Sequence, residues 1–313
     1  MRRFSAALGV CAFAALNSVA FAAPKTDIYV TILSGEAAWL PISAAIAEKL
    51  DHENGLRILP VLGAGGVQAL VDLSQIPSID AAVVASDSLA YAKSQNLVSN
   101  DNNSLSYVAK LSPLDLVLIT RSTIKNVTGL AGKRIATGPA QSAGFASGEL
   151  LFNALEIPFK RIPKQGDAAI QALVDGQADA ALILGTSFNK TMLANGKFQV
   201  LSLTMPPNLE SVYQPALLNA QQLPGLIAKA GSVETISASL TLAVKDWPKG
   251  SPHAVNLAAF IAELYKAQGD GLAVNLAASV PGWTRQKSTK ELLGQIRTGA
   301  DTPHLITPTG GEP

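Results

Sequence analysis

Two rhythms of apolar and polar positions alternate along this chain. Ile28-Tyr29-Val30-Thr31-Ile32-Leu33 is a short apolar run rich in β-branched residues, and Ser34-Gly35-Glu36 ends it. Such a run predicts a strand. From there to Leu50 the apolar residues Ile42, Ile46 and Leu50 recur at helical spacing, with Pro41 in the first turn, where a missing N–H costs little. A second strand, Arg57 to Leu62, runs into Gly63-Ala64-Gly65-Gly66, and a helix carrying Val67, Leu70, Val71 and Leu73 follows. A third strand, Ile79 to Val84, ends at Ser86-Asp87, which are placed to cap a helix from Leu89 to Lys93. Strands and helices in strict alternation predict parallel strands covered on both faces.

The alternation returns later in the chain. Lys133 to Thr137 is a strand, Gly138 to Gly144 a loop of small residues, and Phe145 to Leu155 a helix. Phe159 to Ile162, Ala168 to Asp175 and Ala180 to Leu184 then read as strand, helix and strand. Extended segments flank this second unit: Leu114 to Thr120, and Thr235 to Val244 with Ile236, Ala238, Leu240 and Leu242 alternating against Ser237, Ser239 and Thr241. Both read as crossover strands, by which the chain leaves a first lobe and returns to it. The expected fold is therefore α/β and two-lobed. Lobe one is residues 23–113 and 240–301, and lobe two is residues 114–239, each a mainly parallel sheet flanked by helices. Helices from Ala254 to Ala267 and Ser288 to Arg297 belong to lobe one, and 302–313 form a Pro-, Gly- and Thr-rich tail.

The N-terminus changes where this fold is expected to work. Arg2 and Arg3 precede an apolar stretch from Ala6 to about Leu16, and Ala20-Phe21-Ala22 offers the small residues a signal peptidase reads. Residues 1–22 are expected to be removed, and the mature chain to be periplasmic. The single cysteine, Cys11, would leave with them, and with it any disulfide, thiolate metal site or cysteine nucleophile. The 24 Lys and Arg against 23 Asp and Glu form no basic stripe, so no nucleic-acid partner is expected.

In open parallel sheets, ligands bind beyond the carboxyl ends of the strands, where helix starts present unpaired N–H groups. Five segments qualify: Ser34-Gly35-Glu36 with Trp39 just beyond, Gly63 to Gly66, Ser86-Asp87, the loop ending in Gln141-Ser142-Ala143-Gly144, and Gly185-Thr186. The candidate ligand contacts are Ser34, Gly35, Glu36, Trp39, Gly63, Gly65, Gly66, Ser86, Asp87, Gln141, Ser142, Ala143, Gly144, Gly185 and Thr186. Plainer roles stand beside these: a tight turn for the glycines, helix capping for Ser86 and Asp87, packing for Trp39. Arg121, Arg134 and Lys190 lie near enough in sequence to swing in. His52, His253 and His304 are scattered, and no GxSxG, GxGxxG or P-loop pattern occurs. No catalytic set, metal site or cofactor is therefore expected.

Leu130-Ala131-Gly132-Lys133-Arg134-Ile135-Ala136-Thr137-Gly138 resembles the start of the second lobe in TAXI-type solute receptors of TRAP transporters and in the wider class of type II periplasmic binding proteins, including NMT1-like proteins. Asp175 to Ala181 resembles their "G-x-x-D-A" turn, and Asp80 with Ser86-Asp87 their strand ending in "S-D". The resemblance implies a monomeric receptor that closes on a small-molecule solute, such as an amino acid or carboxylate. The receptor would deliver it to integral-membrane transporter subunits, TRAP rather than ABC. The chain departs from the pattern at Gly66 and Ala69, where the family carries a Ser and an Asn. That departure leaves a second expectation: a binding or sensor module of the same fold that acts on a protein partner and keeps a vestigial cleft.

Overall fold

The apolar run after Asp27 forms β1 (Ile28–Ser34) in the computed structural model, which describes residues 27–101, 104–193 and 196–297. The expected signal peptide, the tail and Cys11 lie outside the described residues. After β1 come α1 (Leu40–Leu50), with Pro41 in its first turn, then β2 (Leu56–Leu62), α2 (Gly66–Gln75), β3 (Ala81–Ala85) and α3 (Asp87–Ser94). The strands are parallel in the order β2-β1-β3. Successive side chains of a strand point to opposite faces, and both faces are covered here. Val30, Ile32, Ala81 and Val83 share one core with Ile46 and Leu50 of α1, while Leu33, Ala82 and Val84 pack with Val67, Leu70 and Leu73 of α2. Burying a side chain of the Val, Leu or Ile kind contributes about 1.5–3 kcal/mol.

The second unit repeats the plan. It follows β4 (Leu105–Arg121) and comprises β5 (Arg134–Ala136), α4 (Ala143–Ala154), β6 (Lys160–Ile162), α5 (Gly166–Val174) and β7 (Ala180–Leu184). Then come β8 (Phe198–Val200), β9 (Gln214–Asn219), β10 (Ser232–Lys245), α6 (Pro252–Gly269) and α7 (Lys287–Arg297). One path of hydrogen-bonded strands runs β2-β1-β3-β10-β4-β7-β5-β6. Followed inward from either end, it is three parallel strands and then a long antiparallel one. This is the two-lobed α/β fold with two crossover strands.

The crossovers are longer than the alternation suggests. β4 begins at Leu105, pairs with β10 from Leu105 to Asp115, and continues along β7 from Leu116 to Thr120. β10 pairs with β9 through Ser232–Ser237 and with β3 through Leu240–Val244. From Thr235 to Val244 the polar as well as the apolar positions of β10 are buried. The polar side chains find internal partners: Thr235 Oγ1 donates to the Leu116 carbonyl at 2.5 Å, and Thr241 Oγ1 donates to the Ser239 carbonyl at 3.1 Å. Strands β8 and β9 lie in segments whose short apolar runs predict no element.

Candidate functional site

The loops after β1 and β2 and the loop before α4 meet on one open pocket of about 210 Å³. Its walls include Gly35, Glu36, Gly63, Gly65 and Ser142 among the expected residues, and Leu62, Pro139 and Gln165 beside them. The starts of α2 and α4 face each other here. The Val67 N–H donates to the Gln141 carbonyl at 2.9 Å, joining the first unit to the second. Gly65 makes this approach possible. Its φ is +141°, and a Cβ there would sit 2.5 Å from the Gln141 oxygen. Only glycine meets both demands.

Glu36 stands at the centre. Its Oε1 accepts from the Gly66 N–H at 3.1 Å and from the Ala143 N–H at 2.7 Å, and its Oε2 accepts from Gln165 Nε2 at 2.8 Å. One carboxylate thus caps α2 and α4 together, where the unpaired N–H groups and positive dipole ends of both helices lie. Ser142 caps α4 as well, its Oγ accepting from the Phe145 N–H at 3.1 Å. Gln165 is not among the expected contacts, because no local pattern marks a loop glutamine 129 positions from the carboxylate it serves.

A second carboxylate joins the same two units in the interior. Asp87 is fully buried, and its Oδ2 accepts from Tyr213 Oη at 2.8 Å and from Ser147 Oγ at 2.5 Å. Its Oδ1 has no partner. Burial pushes the Asp87 carboxyl above its ordinary range, against the lowering effect of Ser147 and Tyr213. Burial and the nearby Asp87 push the Tyr213 phenol well above its own. Asp87 lies at the start of α3 and Ser147 on α4, so this cluster ties helix to helix behind the pocket.

Other expected contacts sit elsewhere. Ser34 is buried, its Oγ 2.5 Å from Ser43 Oγ. Trp39 is 7% exposed and packs in the core with α1 rather than walling the pocket. Ser86 does not cap α3: its backbone is already helical, and its Oγ accepts from the Ser239 N–H at 2.9 Å, pinning β3 to β10. Gly144 packs against Thr137, where a Cβ would lie 2.4 Å from the carbonyl oxygen. Gly185 and Thr186 follow β7, the Gly185 N–H donating to the Asp115 carbonyl at 2.8 Å, away from the pocket walls.

The nearby cations are engaged. Arg121 Nη2 donates to the Leu173 carbonyl at 2.9 Å, and Lys190 lies 5.1 Å from the Phe188 ring centroid. Arg134 pairs with Asp179 through Nε at 3.2 Å and Nη2 at 2.9 Å, which holds the Asp179 carboxyl below its usual range. This pair explains two sequence features at once. The "G-K-R" and "D-A" segments are joined side chain to side chain across β5 and β7. Among the described residues no group of His, Cys, Asp and Glu is placed to hold a metal ion.

Among solved structures the chain is similar to the periplasmic binding protein BugD, with 16% identity and a TM-score of 0.48 over 87% of this chain and 95% of that one. It is also similar to MatC from Rhodopseudomonas palustris with bound malate, with 19% identity and a TM-score of 0.47 over 88% and 98%. No curated protein matches it. The NMT1-like family profile matches residues 36–245, from Glu36 at the pocket to the last residue of β10, and the chain belongs to the NMT1-like family.

Proposed function

We propose that this protein is a periplasmic solute-binding protein that captures a small organic molecule between its two lobes and hands it to a membrane transporter. The observation that carries this reading is the pocket itself. Loops from both α/β units meet there, and helix starts from both units face one point, as a clamp needs. Two long strands, β4 and β10, link the lobes and supply the hinge. A solute that contacts both sides favours the closed arrangement by its differential affinity. The lining offers Glu36, Ser142 and Gln165 as polar groups that can meet a solute. The resemblance to TAXI-type receptors supports a TRAP partner.

A test is a melting-curve screen of the mature protein against sugars, amides, amines, amino acids and carboxylates, together with a mass spectrum of what leaves on denaturation. One compound class should raise the melting temperature in a saturable way. A flat screen with no released small molecule would overturn solute capture. Glu36 gives the second reading a specific basis, since it already uses the donors of both helix starts. In that reading the cleft is vestigial and the fold acts on a protein partner. A stoichiometric periplasmic partner retained by a protein that binds no solute would favour it.

A further inference from the structure

We propose that Glu36 is a tethered carboxylate that fills the anion position between the lobes, so that the pocket takes a small uncharged polar solute and rejects carboxylic acids. The inference rests on solute capture as the function. It begins from the three donors on one side chain: Gly66 N–H from α2, Ala143 N–H from α4 and Gln165 Nε2. A free acid held between two helix starts would need those same N–H groups. Here they are spent.

Charge gives a second argument. Each helix start carries roughly half a positive elementary charge, so two offset one carboxylate. Among the described residues no ion pair reaches Glu36 and no Lys or Arg lines the pocket. An incoming carboxylate would therefore meet a position already neutralised, with an anion at hydrogen-bond distance from where it must sit. Its desolvation would go uncompensated. An uncharged solute meets no such penalty. The remaining wall offers it the Gln165 side-chain oxygen, which Glu36 leaves free, the loop backbone from Gly63 to Gly65 and the apolar side chain of Leu62. At about 210 Å³ the space suits a small molecule rather than a peptide or polymer.

The experiment is rescue by a small anion. Glu36→Ala should lower the melting temperature by about 4 °C. Sodium formate should restore at least half of that loss with a saturating dose response, because formate fits the freed position. Sodium chloride at equal ionic strength should not. Wild-type protein should ignore formate, acetate and malate alike. Glu36→Gln should also ignore formate, since its amide still fills the space, and serves as the control; if Glu36→Ala does not fold, the wild-type response to malate decides the test. The proposal is overturned if Glu36→Ala shows no saturable response to formate. It is equally overturned if wild-type protein is stabilised by malate at micromolar concentration, which would mean that a solute displaces Glu36. Formate rescue alongside an empty solute screen would instead remove solute capture and leave the tethered anion standing, so the two failures are distinguishable.

Discussion

Glu36 and Asp87 make the same connection in opposite surroundings. Each leaves the carboxyl end of a strand in the first unit and reaches α4 in the second. Glu36 does so at the half-buried mouth, where backbone N–H groups and one side-chain amide satisfy it. Asp87 does so in the fully buried interior, where two hydroxyls satisfy one oxygen and the other has no partner. The difference teaches which carboxylate a solute can meet. The mouth carboxylate lines the pocket, and removing it exposes no core. The interior one is closed off, and losing its acceptor oxygen strands a buried hydroxyl.

Removing the interior carboxylate should cost most. Asp87→Ala leaves Tyr213 Oη without its acceptor and Ser147 Oγ with the Ala143 carbonyl alone, and a stranded buried hydroxyl costs about 1–3 kcal/mol. A loss of about 3 kcal/mol in urea unfolding is expected, while Asp87→Asn, which keeps an acceptor oxygen, should lose about 1 kcal/mol. Equal losses would mean that packing, not hydrogen bonding, joins α3 to α4. At the mouth the comparable break is Gly65→Ala. A Cβ there meets the Gln141 oxygen at 2.5 Å at a φ of +141°. Strain of this kind costs about 1–3 kcal/mol, and the units should part to relieve it. Small-angle scattering should show a larger radius for this variant and an unchanged one for Asp87→Asn.

The interior carboxylate also makes stability depend on pH. Asp87 holds its proton in the folded protein at pH values where the unfolded chain has lost it, because burial raises it above 3.8. Stability from this group is therefore present at low pH and falls as pH rises from 3.8 through the folded value. Asp80 and Asp246 are raised too, both chiefly by burial, so the wild-type curve alone does not isolate Asp87. Subtracting the Asp87→Asn curve does. The wild-type advantage should grow as pH falls from the folded value toward 3.8, by at most about 1.4 kcal/mol per pH unit. A difference constant with pH would mean that burial does not hold the proton on Asp87.

The mouth is more legible in the sequence than the interior, for a physical reason. Strand-end loops announce themselves through local composition, so the residue pattern alone marks Gly35, Glu36, Gly63, Gly65 and Ser142, and all five line the pocket. The crossovers are legible too, though the first half of β4 is not, since Lys110 to Pro113 breaks its apolar run. The interior link is a contact over 126 positions between Asp87 and Tyr213. No local pattern encodes it, and Ser86-Asp87 before a helix looks like an ordinary cap. Trp39 shows the same limit: an aromatic just past a ligand loop is equally placed to wall a pocket or to fill a core, and long-range packing decides.

The smallest effect tests whether the two contacts are independent. Ser142 caps α4 one turn before Ser147, and Ser147 Oγ lies within hydrogen-bond distance of both the Ala143 carbonyl, at 3.1 Å, and Asp87. Ala143 in turn supplies the N–H that Glu36 accepts. The first turn of α4 is therefore one hydrogen-bonded piece with a carboxylate at each end. Ser142→Ala should cost about 1 kcal/mol through the lost cap. Combined with Asp87→Asn, the sum should miss additivity by more than about 0.5 kcal/mol, as expected for neighbours sharing partners. A sum inside that margin would make the mouth and the interior separate fastenings, and a solute at Glu36 would then act on the pocket without reaching Asp87.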